Sequence, residues 1–155
     1  MQYQKSSFDC GPCACANAAK SLGISIPYRR LVQASGATTD GTSEEGILQA
    51  VRDAGLSCRP YESNDRNSAW EWLHGALIQG RPVILSVDSW SHWTVTIGLL
   101  GVEKVILIDS TRSIRNKRQN GVHVLSKSAI MLRWWNARRW ADGEKRLYAI
   151  CVGKS

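Results

Sequence analysis

The chain has 155 residues, 43% of them hydrophobic, and a formal net charge of +7 from 20 basic and 13 acidic side chains. That length and composition fit one folded domain, residues 1–155, able to bury a sizeable core. No apolar run reaches the roughly 18 residues that cross a bilayer, and the opening Met1-Gln2-Tyr3-Gln4-Lys5 lacks the apolar stretch of a signal peptide. A cytoplasmic site is therefore expected, in the producing cell or in a host cell that receives the protein. Five cysteines, an odd number, argue for reduced thiols over a disulfide scaffold, in keeping with that compartment.

In chain order, residues 10–22 read as a first helix. Its alanines (Ala14, Ala16, Ala18, Ala19) keep the surface small enough to pass close to a neighbour, as a buried central helix must. Pro12 fits its first turn and Gly23 its stop. A short helix over residues 27–35 follows, then a loop over 36–41. Thr42 and Glu45 form a capping box for a helix whose stripe is Ile47, Leu48, Val51 and Ala54. A strand over 56–61 and a polar loop over 64–68 lead to a second box, Ser68 with Glu71. It opens a helix carrying Trp72, Leu73, Ala76 and Leu77, stopped by Gly80.

Strands then dominate. Residues 82–87, 93–99 and 102–108 are rich in Val and Ile, and Leu100-Gly101 joins the last two as an antiparallel hairpin. Residues 110–121 read as a polar, basic loop, 122–125 as a short strand, 126–140 as a helix capped by Ser126, and 147–152 as a final strand. Helices first and strands second predict an α+β fold, with N-terminal helices packed on a C-terminal antiparallel sheet.

The basic excess lies late: Arg112, Arg115, Lys117 and Arg118, then Arg133, Arg138, Arg139, Lys145 and Arg146. Such a face can take an acidic partner, although its simplest role is a solvated surface. Trp134, Trp135 and Trp140 stand among these arginines, as in a stacking groove for single strands. At helical spacing they read better as core or interface residues, so nucleic acid is not the expected partner.

The chemistry concentrates at Gln4, Cys10, His92 and Asp109. Cys10 opens a helix, where free N–H groups and the helix dipole favour a thiolate. His92 opens an apolar strand and Asp109 ends the next. A thiol, an imidazole and a carboxylate supply a nucleophile, its base and the group that orients the base. Acyl transfer also needs donors for the oxyanion; the Cys10 backbone N–H and the Gln4 amide are suited, with Gln2 the alternative. No metal and no cofactor are required. His74 receives no role, and His123 is an alternative base.

The segment Gln4-x5-Cys10-Gly11-Pro12 resembles the opening motif of the C39-type peptidases of the papain-like superfamily, which include the leader-cleaving domains of bacteriocin export proteins. Ser91-His92-Trp93-Thr94-Val95 is similar to their histidine motif, and Ile108-Asp109-Ser110 to their Asp-Pro segment, with serine in place of proline. The resemblance implies a papain-like fold. It also implies a cysteine peptidase or amidohydrolase in which Cys10 is nucleophile, His92 base, Asp109 orienting acid and Gln4 oxyanion donor. The substrate would be a peptide or protein amide.

Other readings remain at this stage. Cys10-Gly11-Pro12-Cys13 is also the sequence of a thiol-disulfide oxidoreductase motif. Against it, few residues precede Cys10 and no suitable cis-proline candidate stands elsewhere. Cys10, Cys13 and Cys15 could ligate zinc, but no second pair completes four ligands. A papain-like binding domain is the third alternative; it would not need Cys10 and His92 together.

Overall fold

In a computed structural model, residues 1–137 and 145–155 are described. The elements in order are α1 (Cys10–Ser21), α2 (Tyr28–Ser35), α3 (Glu44–Asp53), β1 (Leu56–Ser63), α4 (Arg66–Ile78), β2 (Val83–Val87), β3 (His92–Leu99), β4 (Lys104–Ile108), α5 (Ile114–Arg118), β5 (Val122–Ser126), α6 (Lys127–Trp134), β6 (Asn136–Ala137) and β7 (Lys145–Lys154). The fold is α+β. An antiparallel sheet runs β1-β7-β2-β3-β4-β5, and β6 pairs with β7. No helix among the described residues is long and apolar enough to cross a membrane.

Both faces of the sheet are covered. On one, Ala14, Ala18 and Ala19 of α1, Leu31 of α2 and Ile47 and Val51 of α3 pack on Ile84, Val95, Ile150 and Val152. On the other, Leu73 and Leu77 of α4 and Ile130 and Trp134 of α6 pack on Val83, Leu85, Leu107 and Ala149. Every residue of β2 is buried, which explains its unbroken apolar run, since a strand covered on both sides has no polar face. Trp134 is fully buried and donates its indole N–H to the Tyr148 carbonyl at 2.9 Å.

Several boundaries differ from the sequence expectation. Ser43, not Thr42, caps α3 by accepting from the Gly46 N–H, and the Thr42 carbonyl is used elsewhere. Asp65, not Ser68, caps α4; it accepts from the Asn67 N–H and the Ser68 hydroxyl, so the helix starts earlier. The basic segment read as a loop contains α5, capped by Ser113. Ser126 caps α6 as expected, but the helix ends at Trp134 and the chain turns into β6. The remainder of the expected helix, with Arg138, Arg139 and Trp140, lies outside the described residues. The final strand, β7, inserts between β1 and β2, a pairing that local pattern does not encode.

Two helical glycines stand in opposite settings. A Cβ on Gly46 would lie 2.2 Å from the Ser35 carbonyl oxygen, where α3 crosses α2, whereas one on Gly75 in α4 would meet nothing within 4 Å. Gly46→Ala should lower unfolding free energy by about 1–3 kcal/mol through overpacking. Gly75→Ala should raise it by up to ~1 kcal/mol through helix propensity. Urea unfolding of the two variants checks both signs.

Candidate active site

The tip of α1 abuts the start of β3. Cys10 begins α1, 6% exposed, and the backbone N–H of Trp93 donates to its sulfur at 3.4 Å. The Trp93 indole N–H donates to the Thr42 carbonyl at 2.9 Å, tying the loop before α3 to the same strand. Gly11 allows this approach, because a Cβ there would come within 2.6 Å of the Thr42 side chain. Asp9 does not cap α1 with its side chain. Its buried carboxylate accepts from the N–H groups of Lys5 and Ser6 and from the Tyr28 hydroxyl, folding the N-terminal segment back toward the helix tip.

His92 is the first residue of β3, one position before Trp93, and its Nε2 lies 3.2 Å from Asp109 Oδ1. Both side chains are 14% exposed. The other ring nitrogen, Nδ1, is then the one left for the Cys10 sulfur. Burial alone would lower the imidazole, but hydrogen bonds to Asp109 and to Cys10, with the Asp109 charge, raise it to about 9. Burial would likewise raise the Asp109 carboxyl. Hydrogen bonds from His92 and from Thr111 outweigh it and hold the group well below the usual carboxylate range. Both shifts run toward a charged pair, an imidazolium facing a carboxylate through Nε2.

Asp109 follows β4 and is fixed by its backbone as well as by its side chain. Its N–H donates to the Gly121 carbonyl at 2.8 Å, and its Oδ1 accepts from the Thr111 N–H at 2.9 Å. The buried Asn116 of α5 donates to the carbonyls of Asp109 and Thr111, and its Oδ1 meets His123 Nε2. His123 thus braces the loop that carries Asp109 and is not beside Cys10. Sequence reading missed Asn116; the signal was Ser113 three residues before it, a helix cap inside an apparent loop.

Gln4 is 7% exposed and sits against the same loop. Its backbone N–H donates to the Ser110 carbonyl at 2.9 Å, and its Oε1 accepts from the Ser110 hydroxyl at 3.0 Å. Its Nε2 donates to the Ser6 carbonyl at 3.0 Å, and since a carbonyl can only accept, this fixes which end of the amide is nitrogen. One Nε2 proton remains for another acceptor. Gln2 turns instead toward Asn17, accepting and donating through its backbone.

A cavity of about 450 Å³ opens beside Cys10 and His92, lined also by Thr42, Trp90, Trp93 and Arg146 and not by Gln4 or Asp109. The turn that enters β3 is unusual. Asp88, Ser89 and Trp90 have φ of 55°, 57° and 68°, all left-handed. Such conformations cost non-glycine residues about 1–2 kcal/mol each, so the surroundings must impose them. The remaining cysteines differ from Cys10 in setting. Cys13 and Cys15 are buried in the core, and burial pushes the Cys13 thiol far up and the Cys15 thiol to about 12. All five are free thiols.

A buried imidazole–carboxylate pair beside a helix-tip thiol, on a sheet covered from both sides, is the arrangement of a cysteine peptidase of papain-like fold. The model of the Peptidase C39 family matches residues 1–132, and the chain belongs to that family. No curated protein sequence matches the chain. Among solved structures it is similar to the peptidase domain of Streptococcus ComA, a bi-functional ABC transporter involved in a quorum-sensing pathway. That match has a TM-score of 0.72 and 21% identity, over 99% of this chain and 97% of that one. It is also similar to a double glycine motif protease from an AMS/PCAT transporter in complex with the leader peptide. There the TM-score is 0.70 at 16% identity, over 99% and 89% of the two chains. A third is the N-terminal peptidase C39-like domain of a toxin secretion ATP-binding protein from Vibrio parahaemolyticus, with TM-score 0.64 and 10% identity over 97% and 100%.

The raised imidazole has a consequence for stability. A base whose folded value lies above its ordinary 6.5 stabilises the fold fully below 6.5, and that contribution is lost as pH rises through about 9. Urea unfolding of the native protein should therefore weaken between about pH 6.5 and 9 relative to His92→Gln. Parallel curves for the two proteins would mean that the pair does not form.

Proposed function

We propose that this domain, residues 1–155, hydrolyses a peptide or protein amide with Cys10 as nucleophile, His92 as acid and base, Asp109 as orienting group and Gln4 as oxyanion donor. The observation that carries this reading is the placement of the His92 ring, its Nε2 3.2 Å from Asp109 Oδ1, one residue before Trp93, whose backbone N–H meets the Cys10 sulfur at 3.4 Å in the same cavity lining. The sulfur attacks the carbonyl carbon, and the Cys10 N–H and the spare Gln4 Nε2 proton receive the developing negative oxygen. The imidazolium gives its proton to the departing amine as the C–N bond breaks, leaving a thioester on Cys10. Water then adds to the thioester, its proton passes to His92, and the acid leaves as the sulfur is restored. Asp109 keeps the ring in one orientation throughout without itself taking the proton.

A peptide fits this reading, since one of the similar structures holds a leader peptide. A double-glycine peptide is accordingly the first substrate to try. The basic stretch Arg115, Lys117 and Arg118 on α5 supports an acidic partner or substrate segment at that end of the sheet. Five free thiols support a reducing, cytoplasmic site of action.

The test is cleavage of a peptide library that includes double-glycine sequences, read by mass spectrometry. Cys10→Ala and His92→Ala should abolish cleavage while each variant keeps the far-UV dichroism of the native fold. Gln4→Ala should retain a remnant, slower by about 10²–10³-fold in kcat, as expected for loss of one oxyanion donor. Undiminished cleavage by either of the first two variants would remove the mechanism.

A further inference from the structure

Arg133, in the last turn of α6, reaches the left-handed turn that precedes His92. Its Nε lies 2.9 Å from Asp88 Oδ1 and its terminal nitrogen 2.7 Å from Asp88 Oδ2, a bidentate pair. The Asp88 N–H donates to the Arg133 carbonyl at 2.8 Å, so main chain and side chain grip the same residue. The same terminal nitrogen stands 4.0 Å from Asp109 Oδ2, the carboxylate oxygen that His92 leaves open. Nothing in the proposed reaction uses Arg133 directly.

We propose that Arg133 is a positioning residue, pinning the Asp88–Trp90 turn and the free oxygen of Asp109 so that His92 meets the Cys10 sulfur and Trp90 walls the cavity. This rests on the Cys10–His92 reading above. Asp88 begins a four-residue connection, and Val87 and His92 are paired across the β2–β3 hairpin. Three consecutive left-handed residues there would relax to ordinary conformations if nothing held them. Ser91 contributes by donating from its N–H and hydroxyl to the Asp88 carbonyl, but both of these bonds are internal to the turn. Arg133 ties the turn to a separate element, α6, as the packing of Trp90 ties it to the core beside α1. Among the described residues, the titratable and charged groups around His92 are then Asp109 just after β4, the Cys10 thiol on α1, Arg133 on α6 with its partner Asp88, and, lining the same cavity, Asp40, Glu44, Glu45 and Arg146. A guanidinium suits this place because its planar fork can bind one carboxylate with two nitrogens while one of them faces a second carboxylate; an ammonium cannot.

The experiment needs no substrate. Alkylation of the intact protein by iodoacetamide, followed by mass spectrometry over a pH series, reads the reactivity of Cys10 against that of the other thiols. Native protein should label Cys10 rapidly at about pH 6, where only a thiol paired with an imidazolium reacts well. Arg133→Met should slow that labelling about tenfold or more, yet fall within about twofold of native at about pH 10, where solvent base generates the thiolate unaided. Arg133→Lys should not restore the rate. Asp88→Asn, which removes the bidentate partner and leaves α6 intact, should give the same loss, and the double variant no more than either single one. General loosening of the fold would instead expose Cys13 and Cys15 and label them too. Native-like labelling at about pH 6 in both Arg133→Met and Asp88→Asn overturns the inference while leaving the Cys10–His92 pair in place. Slow labelling of Cys10 in the native protein itself removes the pair, and the inference with it.

Discussion

The contact between the tip of α1 and the first residues of β3 is the constraint on which the molecule depends. It joins positions 83 residues apart, so its formation closes a long loop before any local reward is collected. Trp93 makes the junction specific. Its backbone N–H points at the Cys10 sulfur, and its indole N–H holds the Thr42 carbonyl. One residue therefore ties the helix tip, the loop before α3 and the sheet together. The small residues of α1 allow the approach: Ala14, Ala18 and Ala19 are almost fully buried, and Gly11 leaves room for the Thr42 side chain.

The sheet supplies rigidity at the place where the chemistry needs it. With helices on both faces, β2 and the centre of β3 are sealed from water, and close-packed interiors transmit position with little give. His92 and Asp109 sit where two neighbouring strands emerge from that packing. Asp109 then depends on a less regular device: Asn116 and the Gly121 carbonyl hold its backbone, while Ser110 links it to Gln4. A group on a loop gains the precision of a strand residue only when its backbone bonds are satisfied in this way.

Much of this was legible in sequence because it rests on local rules. The alanine run, Pro12 and Gly23 bounded α1, and the Val- and Ile-rich segments located β2, β3 and β4. Cys10, His92 and Asp109 could be singled out as candidates because the proposed roles demand particular side chains on particular kinds of element, and the fold brings His92 to Asp109 and its strand to Cys10, while Gln4 lies against Ser110. What stayed hidden was nonlocal. The insertion of β7 between β1 and β2 leaves no local trace, since antiparallel partners are chosen by packing and not by neighbours in the chain. The caps at Ser43 and Asp65 were misplaced by one and three residues, because runs of Thr, Ser, Asn and Asp offer several competing oxygens. The left-handed turn at Asp88 was invisible for a related reason: no glycine marks it, and the tie that imposes it comes from Arg133, far along the chain.

The charges about the site alternate from surface to interior. Asp88 and Arg133, with side chains 39% and 30% exposed, form the outer pair, and Asp109 and His92, at 14% each, form the inner one. Each charge is flanked by its opposite, so none is buried alone, which is the condition under which ionised groups are tolerated away from water. The order also accounts for an ionised carboxylate in so enclosed a place. Burial favours its protonated form, and a protonated Asp109 would lose its hold on the imidazolium. The Thr111 N–H on one oxygen and the Arg133 guanidinium facing the other oppose that tendency from two sides. The ring is then left with a fixed negative partner at Nε2, which leaves Nδ1 for the reaction.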